Sequence, residues 1–470
     1  MMTEENEPDT TPVTLDATEL QSADDFKSDG KPARGSNDNT RPDWYSECQV
    51  DSHGSVRPNM MNCFKAFCSD PAWRGVFGYD LMAYKPAVCA PMPSVTGVSA
   101  PVEKPQLLER PHVLEAQGWV QIMGIPSAAE STVASAIELA ARLNKYHPIR
   151  DRLNAMHENG EWDGVDRLSN WLETYLGAFA DDREYLQEIG RRWLIGAIAR
   201  IMEPGCKMDY MLILEGEQGT RKSTAVKIIA TPDYFSDDLP SIEKDEVRAK
   251  THLAGKWIIE ITELDAIGRA EASQVKSFIT AQEDVFIPKY GQHEKRQPRQ
   301  CVFMGTTNKP EYLKDASGGR RFWPVKVPSD ADCDIEALER DRDQLLAQAV
   351  HEYKSGVKWW PDPKFEREHI TPQQDMRQDA DPWEDRVLSH LRTTAAKNYG
   401  VTVTEIAEHA LDISAKQVGR KEQNRIMAIL QRFGWEKGKR QQGRRPWYAP
   451  DGWDEADTHG GSDDIDPIDL

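Results

Sequence analysis

The chain has 470 residues, with 39% hydrophobic and 29% charged residues, enough for roughly two to four domains. That balance suits a soluble globular protein, and no apolar run approaches the ~20 residues that cross a bilayer, which excludes a membrane-spanning role. The net charge of −20 argues against nucleic acid until its distribution is read: residues 1–50 carry 12 acids against 4 bases, residues 451–470 carry 8 acids against none, and Ser414–Tyr448 holds ten Lys/Arg against two acids.

Residues 1–55 are polar, acidic and poor in aliphatics, too little apolar surface to offset ordering entropy, and are expected to form a disordered acidic tail. Their start, MMTEENEPDT, lacks the apolar core of a secretory leader, so the expected location is cytoplasmic. Residues 56–205 read as a mainly helical N-terminal domain. Within them Phe64, Phe67, Trp73, Val76 and Phe77 are spaced for a short helix and a turn onto a strand. The Pro-rich KPAVCAPMPSVTGVSAPVEKP reads as an exposed connection. ESTVASAIELAARLNKY reads as a helix with Ser131 as its cap, and YLQEIGRRWLIGAIARIM as another. Across 206–355 the β-rich runs MLILE, WIIEI and CVFMGTTN alternate with helical stretches, the pattern of a sheet with covering helices. Prolines 361, 363, 372 and 382 mark 356–381 as a linker, 382–450 as a compact module, and 451–470 as an acidic tail. The seven cysteines show neither a C-x-x-C pair nor zinc-type spacing and read as free thiols.

The chemistry-bearing residues begin with LILEGEQGTRKST. Gly216, Gly219, Lys222 and Ser223 stand where a phosphate-cradling loop wants them, but Arg221 holds the slot where G-x-x-x-x-G-K-[ST] asks for glycine. A strand precedes the loop and a helix follows, and a helix start offers free N–H groups and a positive dipole end to anions. The candidate phosphate contacts are Gly216, Glu217, Gln218, Gly219, Thr220, Arg221, Lys222, Ser223 and Thr224, with Lys222 on the β- and γ-phosphates of ATP and Ser223 on Mg²⁺. Arg221 is expected near the helical region with its side chain outward. The alternative is a chance glycine-rich turn.

GKWIIEITELDAI is an apolar strand ending among Glu260, Glu263 and Asp265, carboxylates of the kind that hold Mg²⁺ and orient an attacking water. An acid in this place equally ends a solvated strand. QCVFMGTTN ends in Asn308, whose amide would lie near a γ-phosphate if its strand neighbours the first two. In DASGGRRFWPV, Arg320 and Arg321 follow a flexible double glycine and precede Phe322 and Trp323, suiting a guanidinium offered across a subunit boundary or a plain surface pair. DVFIPKYGQHEKRQPR reads as a hairpin whose turn carries Lys289, Tyr290, His293, Lys295 and Arg296, cations about an aromatic ring that suit tracking a single strand; a solvated charged hairpin is the alternative.

The C-terminal module reads as two helices, a third basic helix and a basic Gly-containing hairpin, the layout of a winged helix-turn-helix. A helix is expected to open after Thr404. Lys416, Arg420, Lys421 and Arg425 would face a DNA groove while Lys439, Arg440, Arg444 and Arg445 contact the backbone; a protein-docking module is the alternative. The tail beyond Pro450 would compete with DNA for this surface or serve solubility alone.

Taken in order, GEQGTRKST, GKWIIEITELD, VKSFIT, PKYG, RQCVFMGTTN and GGRRFWPV resemble the virulence-associated protein E family of phage and prophage proteins, and more broadly superfamily 3 helicases. YHPIRDRLNAMHENGEWDGVDRLSNWLETYLG resembles the segment preceding their ATPase core, so the likeness spans roughly Asn59 to Val327. The resemblance implies an α/β fold: a P-loop AAA+-type ATPase core, a mainly helical N-terminal domain and a C-terminal winged helix. It implies a ring, expected to be a hexamer, that uses ATP and Mg²⁺ to move along single-stranded DNA in a bacterial host cell, binds duplex DNA through the winged helix and works with replication partners. Lys222 and Ser223 match its Walker A, Glu263 with Glu260 or Asp265 its Walker B, Asn308 its sensor, and Arg320 or Arg321 its arginine finger. Lys289 and its neighbours would sit on a pore hairpin. The second reading is a DNA-binding or regulatory protein with switch-like nucleotide use, and a third is a ring ATPase that remodels or loads a partner.

Overall fold

The computed structural model describes residues 42–95, 101–262, 269–289, 293–309, 312–313, 319–328, 333–377, 381–393, 399–439, 444–450 and 453. The chain divides into two compact units, one ending at Arg152 and one beginning at Leu153.

In the first unit, β1 (Phe77–Asp80), β2 (Lys85–Val88), β3 (Gln106–Leu107) and β4 (Lys145–Tyr146) form a sheet of order β3-β2-β1-β4. It is joined by α1 (Met60–Ser69), α2 (Arg110–Ile122) and α3 (Glu130–Ala141), and α4 (Pro148–Glu158) contains the division between the units. Phe67, Trp73 and Phe77 stack and tilt against one another with centroids 4.9–5.3 Å apart at the centre of the core. Two local expectations need correction. The Pro-rich stretch opens as β2, because Ala87 and Val88 are buried in register with Gly78 and Phe77. The cap of α3 is Ala129, one residue before the helix, so Ser131 lies inside the first turn.

The second unit contains α5 (Trp171–Leu176), α6 (Arg183–Met202), β5 (Met211–Glu215), α7 (Lys222–Ala230), β6 (Phe235–Ser236), α8 (Glu246–His252), β7 (Ile258–Ile261) and α9 (Arg269–Ile279). These are followed by β8 (Glu283–Phe286), β9 (Lys295–Pro298), β10 (Val302–Thr307), β11 (Phe322–Lys326) and α10 (Ile335–Lys354). Among the described residues a five-stranded sheet has the order β11-β5-β10-β7-β6, and every pairing in it is parallel. Parallel strands are covered on both faces, which is why MLILE and IIEI are buried at every position, the glutamates included. Three long-range hydrogen bonds tie α6 to this layer: Trp193 Nε1 donates to Phe303 O (3.2 Å), Trp257 Nε1 to Ala197 O (2.9 Å) and Tyr185 Oη to Pro324 O (2.8 Å). Because all five strands run the same way, the C-terminal tips of β5, β7 and β10 share one edge of the sheet.

A separate antiparallel hairpin, β8–β9, leaves this layer with Asp284 opposite Gln297. Its base is pinned by a buried ion pair between Asp284 and Arg299, and Arg299 also donates to Phe278 O.

Residues 362–377, expected within a linker, instead fold as helical turns (Pro363–Phe365, Glu366–Ile370 and Thr371–Asp375) with Phe365, Ile370 and Gln374 buried. Two of the prolines that suggested a break, Pro363 and Pro372, stand at first-turn positions, where a missing N–H is harmless and the fixed φ favours the helix. Gln374 Nε2 donates to Phe322 O (2.7 Å), fastening the segment to the sheet edge.

Beyond it lie α11 (Glu384–Leu391), α12 (Val403–His409), α13 (Arg420–Arg432) and an antiparallel pair, β12 (Glu436–Lys437) with β13 (Trp447–Tyr448). They close on a core containing Val387, Leu391, Ile406, Ile426, Leu430 and Trp447. The cap of α12 is Thr402, not Thr404, and Glu405 completes a capping box by returning to the Thr402 N–H. Among the described residues no helix is long and apolar enough to cross a membrane, and the seven cysteines are free thiols. The acidic segments 1–41 and 454–470 lie outside the described residues.

Removing one member of a buried ion pair leaves the other charge uncompensated. Asp284→Ala should therefore destabilise the protein by about 3–5 kcal/mol, whereas Asp284→Leu combined with Arg299→Met should cost far less. Urea denaturation followed by tryptophan fluorescence distinguishes the two outcomes.

Candidate functional site

β5 ends at Glu215 and α7 begins at Lys222, so GEQGTR makes the turn between them. Gly216 has φ of 151°, and a methyl group on it would collide with the Val327 carbonyl oxygen at the end of β11. Gly219 has φ of 95° with open space around it, so its requirement is conformational alone. Arg221 has φ of 60° and ψ of 21°, the left-handed region, and not the helical region expected of it. The slot does demand a glycine-like backbone, and an arginine there carries a cost of about 1–2 kcal/mol.

Lys222 is buried, and its ammonium donates to Gly216 O (3.0 Å), Glu217 O (2.7 Å) and Thr220 Oγ1 (3.0 Å). Its own loop thus holds the cation at the loop's centre, and burial pulls the amine below the ordinary lysine range. Glu217, Gln218, Arg221 and Thr224 are exposed, Thr220 is buried and Ser223 half-buried.

From Ser223 the site reaches the neighbouring strands. Its hydroxyl donates to Glu260 Oε1 (2.8 Å), and Thr306 Oγ1 donates to the same oxygen (2.7 Å). Glu260 is 1% exposed, and its second oxygen, Oε2, is buried without a hydrogen-bond partner. β10 pairs with both β5 and β7, so the hydroxyl of Thr306 comes to lie between the loop and the acid. Gly216 N donates to Thr307 O (3.1 Å), tying the loop's first residue to β10 as well. Asn308 follows β10 and is exposed, while the β10 hydroxyl that reaches Glu260 is that of Thr306. Glu263 and Asp265 lie outside the described residues. Thr306 was absent from the sequence candidates, although a polar pair closing an otherwise apolar strand was the available signal.

A second charged cluster backs the loop. Glu215 accepts from Arg377 Nε (2.8 Å) and Nη2 (2.9 Å) and from Tyr312 Oη (2.9 Å), while Arg377 Nη1 donates to Gln373 Oε1 (2.8 Å). The residue before Gly216 is therefore clamped to a segment 162 positions later. Nothing local in the sequence around Arg377 signals this partnership.

Arg320 and Arg321 are not brought to the loop. They form the turn Gly319–Arg321 immediately before β11, and the parallel register pairs Phe322 with Met211 and Lys326 with Glu215. They consequently sit at the opposite edge of the sheet from Gly216. Arg320 is exposed, and Arg321 Nε is buried without a partner. On the β8–β9 hairpin, Lys289, His293 and Lys295 are exposed, Arg296 pairs with Glu283 and Glu294, and Tyr290 lies outside the described residues.

In the C-terminal module, Lys416, Arg420, Lys421 and Lys439 are exposed and Arg440 lies outside the described residues. Arg425, expected in a groove-facing set, is engaged otherwise: it makes a two-pronged pair with Asp381 (2.6 Å to each oxygen) and lies 3.7 Å over the Trp383 ring. Arg444 pairs with Glu405, and Arg445 donates to Gly438 O (3.3 Å).

Residues 154–379 match the virulence-associated protein E-like domain. Among solved structures, the apo NrS-1 C-terminal region (305–718) matches with 12% identity over 81% of this chain and 99% of that chain, at a TM-score of 0.41. Two A-form apo structures of the same region match with 12% and 13% identity, over 83% and 84% of this chain and 100% and 99% of theirs, at TM-scores of 0.44 and 0.43. No curated protein matches.

Since Arg221 is held in the left-handed region, Arg221→Gly should stabilise the fold by about 0.5–1 kcal/mol, the relieved strain less the added chain entropy. Thermal denaturation of the two proteins at one salt concentration measures it; a lower melting temperature for the glycine variant would contradict the strained backbone.

Proposed function

On the premise that residues 154–379 form a virulence-associated protein E-like domain, we propose that the chain is an ATP-dependent DNA helicase or translocase of a phage or prophage replication system. It hydrolyses Mg-ATP at the subunit interfaces of a ring, a hexamer in this reading, to move along single-stranded DNA. One observation carries the reading: a phosphate-loop lysine and serine stand beside a buried carboxyl group with an orphaned oxygen, at the shared edge of three parallel strands.

The chemistry follows from those atoms. Backbone N–H groups of the loop and the start of α7 offer an anion site, and Lys222 turns its ammonium from its own carbonyls to the β- and γ-phosphates. Ser223 Oγ and Glu260 would hold Mg²⁺, which, when bound, neutralises charge developing on the phosphoryl oxygens. The lone Oε2 of Glu260, withdrawn from water and unbonded, fits that donor set. In this reading Glu260 is the acid nearest the metal, Glu263 and Asp265 supply the remaining carboxylates, and Thr306, with Asn308 beyond it, monitors the γ-phosphate. Arg320 and Arg321, remote from their own loop, act on the nucleotide of an adjacent subunit. The β8–β9 hairpin, rigid at its base and cationic toward its turn, tracks the single strand, and the C-terminal module binds duplex DNA as a winged helix through Lys416, Arg420, Lys421, Lys439 and Arg445.

A second reading, nucleotide binding as a switch with little turnover, is favoured by the strained Arg221 and by the oxygens that hold Lys222 inside its own loop. Steady-state hydrolysis with and without single-stranded DNA separates the two. We expect DNA-stimulated turnover in the wild type, loss of at least a hundredfold in Glu260→Gln with nucleotide binding retained, and loss of both in Lys222→Ala. Equal, negligible rates in all three proteins would favour the switch.

For the duplex contacts, Lys416→Ala, Arg420→Ala and Lys421→Ala should each weaken binding across sequences alike and reduce the salt slope by about 1. Arg425→Ala should instead loosen the module, since its guanidinium is spent on Asp381, and leave that slope unchanged. Fluorescence anisotropy across a salt series reads both.

A further inference from the structure

Ser223 and Glu260 lie on the β7 side of the phosphate loop, so a nucleotide whose terminal phosphate meets them must extend its other end away from β7. The neighbour of β5 on that other side is β11. There a cavity of about 460 Å³ opens, lined at one end by Gly216 and Glu217, the first residues of the loop itself. Its volume falls in the usual range for small-molecule sites, roughly 300–1,000 Å³.

The walls are unusual for a surface hollow. Phe179, from the connection between α5 and α6, is 47% exposed, and Met376, at the end of the helical turns after Thr371, is 61% exposed. Folding leaves both large apolar groups uncovered in the same cavity. Lys326 holds its ammonium 5.1 Å over the Phe179 ring, which orients the ring. The side carrying Met376 is kept in place by the Glu215–Arg377 ion pair, so the apolar surface is presented from a fixed frame. A flat aromatic ligand gains from stacking on such groups whatever its sequence of heteroatoms, and Asp181, also on the lining, can accept an N–H from its rim.

We infer that this cavity receives the nucleobase and ribose of the nucleotide whose phosphates the loop binds, with Phe179 and Met376 as the stacking groups. The inference rests on the nucleotide-binding reading proposed above. It also accounts for the turns at 363–377 packing against the sheet edge: they supply one wall of the site.

The test is calorimetry on the full chain with two probes, Mg-ADP for the whole site and magnesium pyrophosphate for the loop alone. Phe179→Ala and Met376→Ala should each weaken ADP binding roughly tenfold, the usual loss when an aromatic or apolar stacking partner is removed from a base, while pyrophosphate binding stays as in the wild type. Lys222→Ala should weaken both ligands. ADP affinity unchanged in both cavity variants but lost in Lys222→Ala would overturn the cavity assignment and leave the nucleotide reading intact. Equal weakening of ADP and pyrophosphate in both variants would likewise overturn it, as a general disturbance of the loop. A wild type that takes up no ADP would remove both.

Discussion

The carboxyl group of Glu260 is withdrawn from water in the interior of a parallel sheet, and its bonding constrains the elements around it. A polar group moved from water into an apolar interior costs about 1–3 kcal/mol unless a partner replaces the lost hydrogen bonds. Here two hydroxyls, from Ser223 on α7 and Thr306 on β10, converge on one oxygen and leave the other with none. The register that makes this work is specific. Met304 stands opposite Glu260, and side chains repeat on one face every second residue, so Thr306 rises beside the acid at the next position on that face. A slip of one residue would point both hydrophobic sets the wrong way and strip the acid of that donor. The price of the orphaned Oε2 is accepted where it does chemical work in the proposed reading, which is how strained and unsatisfied groups are distributed in proteins generally.

Buried ion pairs elsewhere in the second unit perform a different task. Glu215–Arg377 and Asp284–Arg299 both sit where an irregular segment leaves the apolar layers, the first at the phosphate loop and the second at the base of the β8–β9 hairpin. Such pairs add little net stability, because desolvation offsets most of the attraction, but their two-pronged geometry tolerates few alternatives. They define where the loop and the hairpin start. The hydroxyl of Tyr312 and the amide of Gln373 saturate the first pair, so the position of Gly216 is determined by residues far along the chain as well as by its own strand.

Much of this was legible in the sequence where the signal is local. The runs MLILE, WIIEI and CVFMGTTN become β5, β7 and β10 because continuous apolarity with a polar end is what a strand covered on both faces requires. The turn with Gly216 and Gly219 was likewise readable from residue type. Signals that depend on backbone state or on distant partners were not. The left-handed conformation of Arg221 cannot be inferred from an arginine, and Pro363 and Pro372 read as breakers because a proline's letter does not reveal whether it opens a helix or interrupts one. Arg425 has the look of a groove-facing cation on a basic helix, yet Asp381 lies 44 positions away in sequence and claims it. Thr306 and Asn308 share a strand parity, so residue type and alternation do not tell them apart; the pairing of β10 with β7 puts Thr306 one face position beyond the partner of Glu260, whereas Asn308 lies past the end of the strand.

The same parallel register bears on how many copies of the chain the proposed chemistry needs. Lys326 lies opposite Glu215 and Phe322 opposite Met211, so β11 carries Arg320 and Arg321 to the edge of the sheet farthest from the loop. A strand of five residues spans about 16 Å, more than a guanidinium can cross from a strand's beginning to its end. Arg321 also has its Nε buried, which limits the directions in which its guanidinium can reach. If either arginine stabilises a transferring phosphoryl group, that group must be bound by another copy, presented edge to edge with this one. The parallel register that assembles Ser223, Glu260 and Thr306 within one chain therefore keeps the arginines away from the same chain's site, and the proposed reading needs at least a second copy of the chain to supply one.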